Sequence, residues 1–137
     1  MGYTHYWRGK GEFTVSEWAA ICADARKILK TTRVKLWHEY DEPLAGPEIT
    51  ETHIQMNGAG DDGHETFLLE KGPDSFTFCK TAQKPYDAVV CAILISAHKH
   101  APDVLTISSD GERADWAPGL TLVTAACGPG YSVPFAD

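Results

Sequence analysis

The stretch from residue 75 to residue 108 restricts the fold most. Ser75-Phe76-Thr77-Phe78-Cys79 alternates apolar and polar with period two, the pattern of a strand with one buried face. Pro85, favoured at a first helical position, opens a segment in which Val89, Val90, Ile93, Leu94 and Ala97 recur at helical spacing. His98 and Lys99 fall in its last turn, where the helix dipole is negative. Val104-Leu105-Thr106-Ile107-Ser108 then reads as a strand, stopped by Ser109-Asp110-Gly111. Strand, helix and strand in this order predict a right-handed β-α-β crossover, with the two strands parallel and their C-terminal ends on one edge.

Other elements fit around this unit. Tyr3-Thr4-His5-Tyr6-Trp7 is bulky and aromatic at nearly every position and reads as a strand. Thr14-Val15-Ser16-Glu17 is a capping box, and Trp18, Ile21, Cys22, Ala25, Ile28 and Leu29 follow as one buried stripe, predicting a helix over 14–31. Residues 34–37 make a short strand at most, and Pro43, Gly46 and Pro47 mark a surface excursion. The segments 53–57, 66–70 and 75–79, separated by glycine and aspartate turns, predict an antiparallel meander. Residues 115–126 form a short closing helix, followed by an irregular tail.

The expected architecture is a single α+β domain over 1–137: a mainly antiparallel sheet of four to five strands, two main helices on one face and one β-α-β crossover. Trp18, Ile21, Ile28, Phe67, Phe76, Phe78, Val90, Leu94 and Ile107 should be core. The opposite face, with His53, Gln55, Thr66, Leu68, Thr77 and Cys79, is mixed, and its Leu68 predicts that copies pair as a homodimer or a multiple of one.

Several function classes are excluded or disfavoured. The net charge is −7, and residues 39–70 hold nine acids without a Lys or Arg, a balance that opposes general nucleic-acid binding but leaves room for one small anion. No apolar run is long enough to span a membrane and no leader pattern opens the chain, which predicts a cytosolic protein. Tyr6 stands where a myristoylation motif needs Ser or Thr. Cys22, Cys79, Cys91 and Cys127 form no C-x-x-C pair and read as buried free thiols. His64-Glu65 and His98-x-His100 have no third ligand spaced nearby, so neither a metal nor another cofactor is expected.

Topology carries the remaining polar residues to one rim. Asn57, Glu65, Thr66, Lys80, Thr81, Lys84, Ser109 and Asp110 all fall at the edge where the crossover strands end. The start of the 85–99 helix, with its free N–H groups and two lysines beside it, predicts an anion site there. His5, in the first strand, is the most suggestive histidine.

Met1-Gly2-Tyr3-Thr4-His5-Tyr6-Trp7, Asn57-Gly58, Glu65-Thr66-Phe67, Phe78-Cys79-Lys80-Thr81-x-x-Lys84-Pro85-Tyr86-Asp87 and Ser109-Asp110-Gly111 together resemble a recurrent group of small phage and prophage proteins. The resemblance covers nearly the whole chain and implies a viral accessory gene acting in a host bacterial cytoplasm. It assigns no catalytic residue. With the rim, it yields the leading expectation: a protein that sequesters a small anionic, nucleotide-derived ligand, a host antiviral defence signal being the candidate. Tyr3, Tyr6, Trp7, Tyr86 or Trp116 would stack a base, while Lys80, Lys84 and the helix terminus hold phosphate. One alternative is an enzyme that cleaves such a nucleotide, with His5 as general base assisted by Glu65 or Asp110. Another is an acidic inhibitor of a host nucleic-acid-binding defence enzyme, acting through residues 39–70.

Overall fold

The computed structural model describes residues 2–39, 46–73 and 75–136. The first strand, β1 (Thr4–Gly9), leads to α1 (Val15–Thr31), whose capping box is complete: the Thr14 hydroxyl accepts from the Glu17 N–H at 3.1 Å, and Glu17 accepts from the Thr14 N–H at 2.8 Å. Two short strands follow, β2 (Leu36–Trp37) and β3 (Glu48–Ile49), then β4 (His53–Gly58), β5 (Phe67–Glu70) and β6 (Phe76–Lys80). The helix α2 (Asp87–His100), the strand β7 (Leu105–Ser109) and the helix α3 (Ala117–Cys127) complete the order. Most of the excursion expected around Pro43 lies outside the described residues, as does Asp74 of the turn before β6.

The fold is α+β, with every strand pairing antiparallel, but the strands divide into two sheets. One has the order β6-β1-β7. In the other, β4 is the hub, pairing with β2, β3 and β5. The crossover from β6 through α2 to β7 is present in split form: its strands run parallel to each other, with β1 between them and antiparallel to both.

The meander is therefore corrected at its second step. β4 pairs with β5, setting Ile54 opposite Leu69, but β6 pairs with β1 rather than β5. Only the chain ends keep the expected contact, through Glu65 N–H to the Lys80 carbonyl at 3.1 Å. Close approach at Gly9 accompanies this change of sheet. A Cβ there would lie 1.1 Å from the Pro73 carbonyl oxygen, so only glycine lets the connection before β6 cross the end of β1.

Phe76 and Phe78 are corrected too. They are 53% and 49% exposed, whereas Cys79 is fully buried. The register explains the phase. His5 pairs with Cys79 and Trp7 with Thr77, so the inward turn of His5 and Trp7 carries that set of β6 side chains inward. The other expected core residues are buried. α2 is more than a stripe: every residue from Val89 to Ala97 is buried, as befits a helix enclosed on all sides, here by α1, α3 and β7.

Candidate functional site

The crossover brings the rim residues together, and local chemistry then binds most of them to one another. Asn57 uses its whole amide: its oxygen accepts from Gly58 and His64 N–H groups, and its nitrogen donates to the His64 carbonyl and the Thr66 hydroxyl. It is a clasp for the loop that precedes β5. Glu65 accepts from the Lys80 N–H at 2.7 Å, and its carbonyl accepts from the buried Tyr86 hydroxyl at 2.5 Å. Asp110 closes the end of β1, accepting from the Thr4 N–H at 3.0 Å and the Tyr6 hydroxyl at 3.1 Å.

Beneath this rim lies a buried polar cluster centred on His5. Thr81 reaches it through a tight turn whose central residues, Ala82 and Gln83, both have left-handed backbones, φ 54° and 56°. Asp87 in the first turn of α2 collects three donors: His5 Nε2 at 2.6 Å, the Thr81 hydroxyl at 2.5 Å and the Cys91 thiol at 3.7 Å. On the other side of the ring, His5 Nδ1 lies 2.8 Å from Ser109 Oγ. That oxygen already accepts from the Gly111 N–H at 2.9 Å and Trp116 Nε1–H at 3.2 Å, so its own hydrogen points to His5. Nδ1 therefore accepts, and the ring proton sits on Nε2, facing Asp87. Tyr3 and Trp116 set their rings edge-on to the imidazole at 5.1 and 4.8 Å.

The cluster is saturated, and its thiols are quiet. Burial, reinforced by the Asp87 charge, pushes the Cys91 thiol well above its ordinary value, and burial pushes Cys79 up to about 12. Neither is a thiolate nucleophile. The exception to saturation is Tyr3: its hydroxyl lies beside Ser109 yet meets no partner with hydrogen-bond geometry among the described residues. No known protein family, curated protein or solved structure matches this chain.

This geometry redistributes the roles expected of the residues. Trp7, Tyr86 and Trp116 are buried to within 1% and Tyr3 to 9%, so none of these four offers a face for stacking. Thr81 is fully buried, with its hydroxyl on Asp87, and that carboxylate occupies the positive end of α2 where an anion was expected. Lys80 and Lys84 remain half-buried at the surface. His100 is half-buried and joins Ser96 and Tyr131 in donating to Asp24. Asp87 and Cys91 were the residues missed, although a four-residue spacing on a helix puts them on one face.

What stands open is the other face of the same sheet. Tyr6 stacks on Phe76 with centroids 5.9 Å apart and planes 22° apart, and Phe78 lies 6.3 Å beyond. Arg8 covers Phe76 at 5.5 Å, and period-two alternation sets Lys80 on this face beside Phe78. Neither cation has a carboxylate within ion-pair distance among the described residues. One hollow, of about 750 Å³, is lined by Glu12, Glu51 and Glu70 with Lys71 and repels an anion. A second, of about 480 Å³, sets Arg33 and Lys35 near Pro85, with Asp62 among them.

Proposed function

We propose that the protein is a binding protein that captures a small, nucleotide-derived anion on the open face of the β6-β1-β7 sheet. The carrying observation is the aromatic ladder Tyr6, Phe76 and Phe78, held at stacking distances with half of each phenylalanine exposed. Aromatic side chains on an open antiparallel sheet suit the π-face of any base, and each stacked base contributes about 1–3 kcal/mol. Arg8 and Lys80 at the ends of the ladder supply the charge for phosphate, Arg8 as a planar fork. The overall charge of −7 limits the ligand to a nucleotide or a short, compact derivative.

Capture fits better than cleavage, because His5 has both ring nitrogens engaged below the surface, and Asp110, the carboxylate beside the ladder, already accepts from the Tyr6 hydroxyl and the Thr4 N–H. No helix among the described residues is long and apolar enough to cross a membrane. With the likeness to phage proteins, this supports an accessory protein in a host bacterial cytoplasm, the ligand being a signal of host defence.

Calorimetry with purine and pyrimidine nucleotides and small cyclic oligonucleotides tests the reading. Phe78→Ala should weaken binding by about 1–3 kcal/mol, and Arg8→Ala and Lys80→Ala by about 1.5–3 kcal/mol each. The ligand should be recovered intact after heat denaturation. Binding that survives all three changes but fails with Arg33→Ala and Lys35→Ala would move the site to the start of α2. A cleaved product would make the protein an enzyme. Phe78→Ala that alters only the mass seen by light scattering would make the ladder an interface between two copies.

A further inference from the structure

Asp87 and Cys91 stand one helical turn apart on α2, and His5 comes to meet them from β1. We propose that His5 Nε2, an Asp87 carboxylate oxygen and Cys91 Sγ bind a single divalent transition ion of the zinc type. The set combines one nitrogen, one oxygen and one sulfur, donors that suit a borderline ion and not calcium or magnesium. The three donor atoms lie within 4.8 Å of one another, and two of their spacings match edges of a tetrahedral face. Ordinary zinc–ligand lengths give edges of about 3.3–3.6 Å between such donors. Here Nε2 to Sγ is 3.5 Å and Sγ to Asp87 Oδ2 is 3.7 Å. The other Asp87 oxygen, Oδ1, stands 2.6 Å from Nε2 across the hydrogen-bonding proton, and that contact must open as the proton leaves.

The surroundings are those of a metal site. Each of two ligands carries an outer hydrogen bond that fixes its direction, His5 through Ser109 on the far nitrogen and Asp87 through Thr81 on Oδ1. Cys91 is held by α3, where a Cβ on Gly119 would come within 2.5 Å of its own Cβ. Charge closes as well: a carboxylate and a thiolate balance a 2+ ion, leaving a neutral buried centre. The proton count is definite. As Nε2 takes the ion, the ring proton moves to Nδ1 and toward Ser109, which accepts it by giving up its longer bond, from Trp116 Nε1–H at 3.2 Å, while the Ser109 hydroxyl hydrogen turns to the neighbouring Tyr3 oxygen, the buried group that otherwise has no partner among the described residues. The Cys91 thiol loses its proton to solvent, so one proton is released per ion. Asp87, with 14% of its side chain exposed, marks the way in. The fourth position falls to water or to the second Asp87 oxygen. Such an ion would staple β1 to α2 under the aromatic face, whatever that face binds.

Titration of the intact protein with Co²⁺, followed by absorption, tests the site. One equivalent should give tetrahedral visible bands and a thiolate-to-cobalt band in the near ultraviolet, release one proton in weak buffer, and be displaced by Zn²⁺. Cys91→Ala should remove the thiolate band, and Cys127→Ala should leave it. Should Cys91→Ala fail to fold, X-ray absorption of the zinc-loaded unaltered chain decides, with one sulfur at about 2.3 Å and lighter ligands at about 2.0 Å expected. No band at one equivalent, a band that survives Cys91→Ala, or a zinc shell without sulfur would leave His5, Asp87 and Cys91 as a hydrogen-bonded core cluster only.

Discussion

His5 and Trp7 of β1 face inward, and Tyr6 and Arg8, their neighbours along the chain, face outward. The inward pair enters a region where, the Tyr3 hydroxyl apart, the buried donors have acceptors, from Asn57 through Glu65, Tyr86 and Asp87 to Ser109. The outward pair belongs to a ladder of rings with two cations and few polar contacts. One strand thus separates two kinds of chemistry by 180° of side-chain direction. Reactive groups are on the side that solvent does not reach, and the accessible side offers stacking and charge. Proton transfer would need the first face and recognition the second, and that favours a binding role.

The contrast is broken most severely from below. Trp116→Ala removes a fully buried ring that packs on His5 and donates to Ser109, and should cost about 3–5 kcal/mol in urea unfolding. Asp87→Ala leaves His5, Thr81 and Cys91 without their common acceptor, and about 2–4 kcal/mol should be lost in the presence of a chelator. A neutral result for either change would mean that water enters the cluster freely and that the two faces are less distinct than the burial shows.

A smaller effect separates the tail from the sheet. Burial raises the Asp24 carboxyl, but hydrogen bonds from Tyr131, His100 and Ser96 outweigh it and hold the group below its ordinary 3.8. A lowered folded-state value means stabilisation that is complete above 3.8 and is lost as pH falls through the lower value. Tyr131→Phe should therefore destabilise by about 1.5 kcal/mol at neutral pH. The difference should shrink as acid unfolding is approached, and a pH-independent difference would locate its cause in packing rather than charge. The smallest change in stability belongs to the open face: Phe78→Ala should stay within about 0.5 kcal/mol of the unaltered chain while the proposed ligand binding weakens by about 1–3 kcal/mol. A loss as large as that of Trp116→Ala would show the ladder to be covered in solution.

The helices were the most legible part of the chain. A capping box and a clean 3–4 stripe specify α1 locally, and its structure follows both. Period two marked β6 equally well, but period carries no phase. Alternation in Phe76-Thr77-Phe78-Cys79 is the same whichever set points inward, and the choice was made by pairing with β1, some seventy residues away along the chain. Aromatic rings on the outer set misled for the same reason: hydrophobicity suggests burial, whereas Phe76 and Phe78 are half exposed. Rim convergence was legible because crossover topology carries strand ends together without knowing their partners. The buried cluster was only half legible. His5, Thr81 and Ser109 stood out, but Asp87 and Cys91 looked like ordinary helix residues until β1 was set between β6 and β7.

That position of β1 sets an order of events in the cell. His5 and Ser109 are 104 residues apart, and β1 has a strand on each side only once β7 exists. At about 5–20 residues per second of synthesis, an aromatic strand with an unpaired edge waits roughly 5–20 s for its final neighbour. During that interval Tyr3, Tyr6 and Trp7 are available to any other strand edge, the cluster around His5 has no Ser109, and the ladder has only part of its support. The capture proposed above would then begin only after β7 has been made, and a nascent chain that stalls before residue 105 would carry the residues of the ladder without the sheet that presents them.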